Sequence, residues 1–288
     1  MKSIQLYSRS LVVLIFILFN FFIWSATLAA TDRVGVLTVA FLDVGQGDAI
    51  YIEAPNGNQM LVDGGSNTGV LRELSQVMPW GDRSIDVVLA THPDKDHIAG
   101  LIEVLSRYEV SQYLHSGVFN DTAVYEELQK TVSRSNVTAA LARRGQRVVL
   151  DEVSGVYADI LFPDRDVAHL ETNSGSVIIR IVYGETEFML TGDAQKTIER
   201  YLVYLNSRSL ESDVLKAGHH GSKTSSDESF VRAVSPQVAV ISAGEDNRYG
   251  HPHKEVIGLF NALGIETVNT ADVGTILFES DGFSVTKR

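Results

Sequence analysis

The chain contains no cysteine. Disulfides are therefore excluded as a means of holding the fold, and so are a cysteine nucleophile and thiolate metal ligands, which leaves His and Asp as the metal-binding side chains. Basic residues are also scarce, with 24 Lys and Arg against 36 Asp and Glu and a formal net charge of −12. A chain that grips long nucleic acid by its general surface is usually basic, so this balance argues against stable nucleic-acid binding by the general surface. It leaves a phosphodiester substrate open, because bound cations reverse the local field. Prolines number only 6, and no low-complexity stretch or interdomain linker interrupts the chain. With 288 residues, 44% hydrophobic and 21% charged, this is ordinary globular material for one large domain or two small ones.

A long uncharged run, Leu11 to Trp24, stands near the start, behind Lys2 and Arg9 and ahead of the small residues Ser25-Ala26-Thr27-Leu28-Ala29-Ala30. Residues 1–30 read as a signal peptide cut after Ala29 or Ala30. The alternative is an uncleaved membrane anchor, since the segment approaches the roughly 20 residues that span a bilayer. Either way residues 31–288 form an exported domain, periplasmic, secreted or anchored with the domain outside, and a membrane is a partner only if the segment stays uncleaved. Without Lys2 and Arg9 the balance is 22 basic against 36 acidic side chains, or −14.

The densest chemistry lies in Thr91-His92-Pro93-Asp94-Lys95-Asp96-His97. It follows the β-branched run Ile85 to Ala90, which reads as a buried strand, and precedes Ile98 to Tyr108, which reads as a helix. Working residues in α/β sheets usually sit on such strand-to-helix loops. His92, Asp94, Asp96 and His97 supply four nitrogen and oxygen donors suited to a borderline divalent ion such as zinc. A loop whose Asp96 merely caps the next helix would explain one acid and not four donors.

The second half echoes the first. The hairpin ending in Asp63-Gly64-Gly65 is matched by one ending in Thr191-Gly192-Asp193, each leading to a helix and then to a strand that begins with Asp. His92 follows Asp86, and His219 follows Asp213, at the same interval. Two copies of one unit packed face to face give sheets inside and helices outside, with corresponding loops meeting at one edge. Asp193 and His219 are thereby expected beside the first cluster, in one composite site. Elsewhere, Thr122 to Arg143 reads mostly as helix, and Arg143, Arg144 and Arg147 as its solvated end.

The loop of His92 to His97, together with Phe41-Leu42-Asp43-Val44-Gly45-Gln46-Gly47-Asp48-Ala49 and Lys216-Ala217-Gly218-His219-His220-Gly221-Ser222, resembles the metallo-β-lactamase-fold hydrolases. More narrowly it resembles the soluble hydrolase domain of the ComEC/Rec2 competence proteins, from about Leu37 to Phe278. The resemblance implies an α/β fold, a four-layer αβ/βα sandwich. It also implies two divalent metal ions, zinc or manganese, with His92 and Asp94 on one, Asp96 and His97 on the other, and Asp193 as the bridge. The late ligand comes from His219-His220; the repeat favours His219, while His220 binds metal or orients its neighbour. Asp63 supports the site in that family, although a plain turn Asp reads equally well. The chain departs from the wider superfamily at Asp94, where many members carry histidine, and at Thr172-Asn173-Ser174, where a third histidine is expected. Asn173 offers only an amide oxygen, a weaker ligand, so one ion is held loosely or is manganese.

A pair of divalent ions roughly 3.5–4 Å apart activates water and clamps a scissile oxyanion. Asp96 is then the candidate proton acceptor, and Ser222, Lys223 and His251 the candidate contacts to a phosphate or leaving oxygen. The alternative is a surface loop at Ser222 and Lys223 and a helix start at His251. The expected function is an exported metal-dependent phosphodiesterase or nuclease, with DNA as one candidate substrate. The competing readings are a small phosphoester (phosphocholine-type) esterase, a lactone or β-lactam hydrolase, and a non-catalytic metal-binding module.

Overall fold

The computed structural model describes residues 14–21, 35–206, 209–245 and 247–288. The leader reading of residues 1–30, with its cleavage site, lies mostly outside these. Residues 14–21 are helical with exposed apolar side chains, and no helix among the described residues is long and apolar enough to cross a membrane.

Two sheets face each other. The first is built from β1 (Leu37–Phe41), β2 (Ile50–Glu53), β3 (Gln59–Val62), β4 (Ser84–Ala90), β5 (Glu109–His115), β6 (Thr138–Leu141), β14 (Ile276–Ser280) and β15 (Val285–Lys287), in the spatial order β15-β14-β1-β2-β3-β4-β5-β6. The second holds β7 (Arg147–Asp151), β8 (Val156–Phe162), β9 (Ile178–Tyr183), β10 (Thr186–Leu190), β11 (Val214–Lys216), β12 (Val238–Ile241) and β13 (Glu266–Asn269), in the order β13-β12-β11-β10-β9-β8-β7. Strand alternation sends one set of side chains into the space between the sheets. There Val39, Val62 and Leu89 from one sheet meet Ile181, Leu190 and Val214 from the other. Phe278 bridges the layers, edge-on to Phe41 at 5.9 Å and to Phe188 at 6.1 Å.

The opposite faces are covered by helices. On the first sheet lie α1 (Gly69–Val77), α2 (Lys95–Arg107) and α3 (Ala123–Arg134). On the second lie α4 (Lys196–Asn206), α5 (Glu228–Val234) and α6 (Lys254–Ala262), with the single turn α7 (Thr270–Val273) after β13. The result is the four-layer αβ/βα sandwich expected from the repeat.

Two local expectations are corrected. The helix expected from Ile98 begins at Lys95, so Asp96 and His97 lie in its first turn and Asp94 is the N-cap. The helix expected over 122–143 ends at Arg134, and Thr138-Ala139-Ala140-Leu141 instead pairs with β5 as an edge strand. Three of those four residues favour helix on propensity, but partnering an open sheet edge overrides it.

The repeat is visible in the hydrogen bonds. Gln59 N–H donates to Asp86 Oδ2 at 2.7 Å, and Glu187 N–H to Asp213 Oδ2 at 2.9 Å, so each strand-opening aspartate ties down the hairpin beside it. Leu61 is opposite Val88, and Met189 opposite Leu215, in parallel pairs. Counting two residues on superposes Asp63 on Thr191 and Gly65 on Asp193, so equivalent turns carry different chemistry. Loops after β3, β4, β10 and β11 all open at the same end of the sandwich.

Candidate metal centre

Local backbone forces several of the functional side chains into place. Asp63 (φ 59), His219 (φ 50) and His220 (φ 54) are non-glycine residues in the left-handed region, a conformation that disfavours ordinary residues by roughly 1–2 kcal/mol each. Strain of this kind persists where the surroundings over-determine it, and it clusters at working sites. The loop between β1 and β2 crosses the start of α2, where Asp48 N–H donates to the Asp96 carbonyl at 3.3 Å. A Cβ on Gly47 would overlap that same carbonyl, so the approach requires glycine.

Four imidazoles surround one carboxylate oxygen. Asp193 Oδ2 lies 3.4 Å from His97 Nε2, 3.4 Å from His220 Nε2, 3.7 Å from His219 Nε2 and 3.9 Å from His92 Nε2. The outer pairs complete two groups: His220 Nε2 is 3.4 Å from Asp96 Oδ2, and His92 Nε2 is 3.6 Å from Asp94 Oδ2. Most of these spacings are long for an N–H···O hydrogen bond. They match two ligands of one ion, since donors about 2.1 Å from a tetrahedral metal stand roughly 3.4 Å apart.

The tautomers agree. His97 Nδ1 donates to Asp63 Oδ2 at 2.8 Å and His220 Nδ1 to the Ser242 carbonyl at 2.9 Å, acceptors that carry no proton. His92 Nδ1 meets Thr91 Oγ1 at 3.0 Å, but that hydroxyl already donates to Asp63. His219 Nδ1 meets Thr224 Oγ1 at 3.0 Å, and that hydroxyl donates to Ser222 Oγ. All four rings therefore carry the Nδ1 proton and turn an Nε2 lone pair toward Asp193. Among the described residues the Nε2 atoms of His92, His97 and His220 are buried without a hydrogen-bond partner, as is expected of ligands for a divalent ion.

Electrostatics point the same way. Burial opposes charging of His97, but the carboxylates of Asp193 and Asp63 outweigh it and hold its pKa well above the ordinary value. His220 is raised likewise against burial by Asp193 and Asp48. Burial pushes Asp193 up, yet His220 and His97 carry it well below the usual carboxylate range. Lone pairs with such proton affinity are strong cation ligands, because proton and metal compete for the same atom.

Sequence reasoning missed two members. Asp48 has a ligand atom within 4.8 Å of those of His97, Asp193 and His220. Its oxygens, however, approach the Nδ1 atoms, 3.3 Å from His220 and 3.9 Å from His97, and it is ion-paired with Lys216. We therefore place it behind the ligands as their support. Lys216 is completely buried, donates to the Gly192 carbonyl at 3.3 Å and lies 3.8 Å from Asp193 Oδ1. One signal was available for Lys216: it stands three residues after Asp213, as the core residue Leu89 stands three after Asp86.

The other expected residues divide. Asp96 is part-buried, and against burial His220 holds its carboxyl well below the ordinary range. Asp94 is the helix N-cap but makes no capping bond; its Oδ2 takes the Thr172 hydroxyl at 3.0 Å and faces His92. Asn173, next to Thr172, is buried with Oδ1 unpartnered. Asp63 is fully buried and accepts from Thr91 N–H at 2.8 Å as well as from His97, so it is no plain turn residue. His251 packs its ring 5.5 Å from His219 and 6.2 Å from His220, and burial together with those rings pushes its pKa down to about 4. Ser222 corrects an expectation: it is buried, its oxygen accepts from Thr224, and it buttresses His219 instead of facing a substrate. Lys223 is exposed, and its backbone N–H donates to His253 Nδ1 at 3.3 Å.

The sequence profile of the Metallo-beta-lactamase superfamily matches residues 42–245. The chain is 29% identical over 262 residues to ComE operon protein 3 of Bacillus subtilis, covering 83% of this chain and 32% of that protein. It is 32% identical over 241 residues to Recombination protein 2 of Haemophilus influenzae, covering 82% and 28%, and 30% identical over 244 residues to Competence protein ComA of Neisseria gonorrhoeae, covering 83% and 32%. It thus spans about a third of the length of these relatives. Among solved structures, the metallo-beta-lactamase fold protein YhfI from Bacillus subtilis superposes with a TM-score of 0.55 at 14% identity, over 85% of this chain and 99% of that one, a likeness of fold alone. With the sandwich, the ring of imidazoles and the matched profile in agreement, the chain belongs to the metallo-beta-lactamase superfamily.

Proposed function

We propose that this chain is an exported phosphodiesterase that uses two divalent ions, zinc or manganese, and acts on nucleic acid. The observation that carries the reading is the division of ligands around a single oxygen. Asp193 Oδ2 is shared by a group of His97, Asp96 and His220 and a group of His92, Asp94 and His219. With one carboxylate oxygen in reach of both groups, the two sets of side chains would hold one ion each, the pairing that two-ion sites use to stabilise the attacking and leaving oxygens of an in-line displacement. Similarity to competence and recombination proteins favours a nucleic-acid diester over a β-lactam or lactone.

Divalent ions bound there supply Lewis acidity toward a phosphoryl oxygen and toward water. The protein's part is alignment and charge. Asp96 stays ionised and serves as ligand in preference to proton acceptor, because His220 and His97 together overcome burial and hold its carboxyl well below the usual range. His251 is neutral at physiological pH, with a buried unpartnered Nδ1, and orients water or the leaving oxygen. Lys216 and Asp48 fix the carboxylate and rings from behind. Lys223, on the loop that carries both late histidines, meets phosphate at the rim.

The test is hydrolysis of bis(p-nitrophenyl) phosphate and of single-stranded DNA by the purified protein, with manganese or zinc and with chelator. Chelator-sensitive cleavage of both, abolished in Asp193→Ala with the fold retained, is the expected result. Cleavage of the small diester alone would point to a small phosphoester. Cleavage of neither by the metal-loaded protein would send the assignment to lactones and β-lactams.

A further inference from the structure

Two exposed aromatic side chains flank the metal centre from opposite sheets. The loops after β4 and β11 carry the histidines, and the next parallel strand outward in each sheet is β5 and β12. The loop after β5 carries Phe119 and the loop after β12 carries Tyr249, which are 62% and 52% exposed. Both are tied to the ligand shell. Asn120, beside Phe119, reaches the Pro93 carbonyl and Asp94 Oδ1, each at 3.5 Å, and Phe119 N–H donates to the Ala168 carbonyl at 3.1 Å. The Phe119 ring stands edge-on to Tyr125 at 6.0 Å. Tyr249 stacks on His251 at 5.7 Å with 19° between planes, and His251 in turn lies 6.2 Å from His220. Arg248 donates to the Tyr249 hydroxyl at 3.1 Å, and its guanidinium carbon lies over the ring, 5.2 Å from the centroid.

Isolated exposed aromatics are common and need no explanation. Here the pairing matters: the rings occupy equivalent places one strand outward on either side of the composite site, and each is buttressed by a second aromatic ring. Phe283, by contrast, is exposed on the β14–β15 turn at the other end of the sandwich. The chain's charge adds a reason. A protein with net charge −12 gains little from counterion release, so a polynucleotide needs another source of grip. Stacking supplies it without reading sequence, because every base has a π-face.

We propose that Phe119 and Tyr249 are base-stacking platforms that seat a single-stranded polynucleotide with a backbone phosphate at the metal centre between them. The proposal rests on the phosphodiesterase reading of that centre and names the part of the molecule that recognises bases. A paired duplex cannot offer free base faces to both rings, so the unpaired strand is the form that fits.

The test is the affinity of the full chain for a fluorescein-labelled oligodeoxythymidylate and for an abasic strand with the same phosphates, measured by anisotropy in chelator and again with manganese. The base-bearing strand is expected to bind about tenfold more tightly than the abasic one. In Tyr249→Ala or Phe119→Ala that ratio falls toward one, Tyr249→Trp restores it, and Phe283→Ala keeps the wild-type ratio. A wild-type ratio near one, or a ratio that survives removal of both rings, overturns the proposal. Time-dependent loss of anisotropy with manganese reports hydrolysis separately. Ring-dependent binding without hydrolysis would refute the catalytic reading and leave the platforms standing, whereas hydrolysis of base-bearing and abasic strands with equal affinity would do the reverse.

Discussion

Replacing Asp63 by asparagine isolates the orientation of one ligand from its identity. The side chain is fully buried at φ 59, a conformation that Asn tolerates as well as Asp, so the backbone need not move. The carboxylate accepts three hydrogen bonds: from Thr91 N–H on Oδ1 at 2.8 Å, and on Oδ2 from the Thr91 hydroxyl at 2.7 Å and His97 Nδ1 at 2.8 Å. An amide keeps only one of those oxygens. If its NH2 group faces the Thr91 amide, two donors that cannot invert are opposed, which costs about 1–3 kcal/mol. If the NH2 faces His97, the ring must accept there and shift its proton to Nε2, the atom aimed at Asp193. The second arrangement is the cheaper, and it removes a metal ligand without removing the histidine. Loss of a partner of this kind typically lowers metal affinity about 10–100-fold, or about 1.4–2.7 kcal/mol. Competition titration of manganese and zinc against a chelator, beside urea unfolding of the metal-free protein, measures both terms. Wild-type metal affinity in Asp63→Asn would refute the tautomer argument, and so would an affinity loss fully matched by loss of fold.

Three further outcomes follow from burial and packing. Lys216→Met strips the buried Asp48 carboxylate of its ammonium partner, so unfolding free energy should fall by about 3–5 kcal/mol, and Lys216→Met/Asp48→Asn should recover much of it; strictly additive losses in urea titrations would contradict the pair. Gly100→Ala, which at an open helix position gains about 1 kcal/mol, should here lower stability by about 1–3 kcal/mol, because a Cβ overlaps the Gly64 carbonyl and lies 2.7 Å from the Asn67 carbonyl oxygen; a rise in melting temperature would show that the turn yields. Glu199 is buried beneath the start of α5, and burial pushes its pKa up to about 7 from 4.5. Its folded pKa exceeds the unfolded one, so its contribution is fully present below pH 4.5 and is lost as pH rises to about 7, a swing of about 3 kcal/mol. The stability gap between wild type and Glu199→Gln should therefore shrink by that amount across the window, and a pH-independent gap would rule the linkage out.

The sandwich was legible because two signals agreed. Apolar, β-branched runs such as Ile85 to Ala90 mark the strands, and the matched intervals from Asp86 to His92 and from Asp213 to His219 mark a repeat whose halves must meet. His92, Asp94, Asp96 and His97 stood out because four such side chains within six residues have few structural uses, whereas Asp193 and the His219-His220 pair stood out through the repeat and the family resemblance. Asp48 was opaque for a physical reason. The glycines before it, Gly45 and Gly47, read as any turn, and its place in the site comes from long-range backbone bonds, including Gly65 N–H to the Asp48 carbonyl at 2.8 Å. Lys216 was hidden by chemistry, since lysine in a strand reads as solvent-facing unless its partner is known. The helix expected over 122–143 failed because alanine propensity carries no information about an unpaired sheet edge.

The origin of each imidazole's supporting bond has a consequence for ion choice. His92 and His97 are steered by Thr91 and Asp63 of the first half, and His219 and His220 by Thr224 and Ser242 of the second. Each half orients its own rings through those bonds, and the distance between the two sets is held by the Asp48–Lys216 pair that crosses between the halves and by the contact of sheet against sheet. A slight slide of one sheet on the other widens or narrows the gap without breaking any of those four bonds. The ionic radius that the centre prefers is then a property of Val39, Leu89, Ile181 and their neighbours in the apolar layer. Selectivity among divalent ions becomes tunable from residues that never touch a metal.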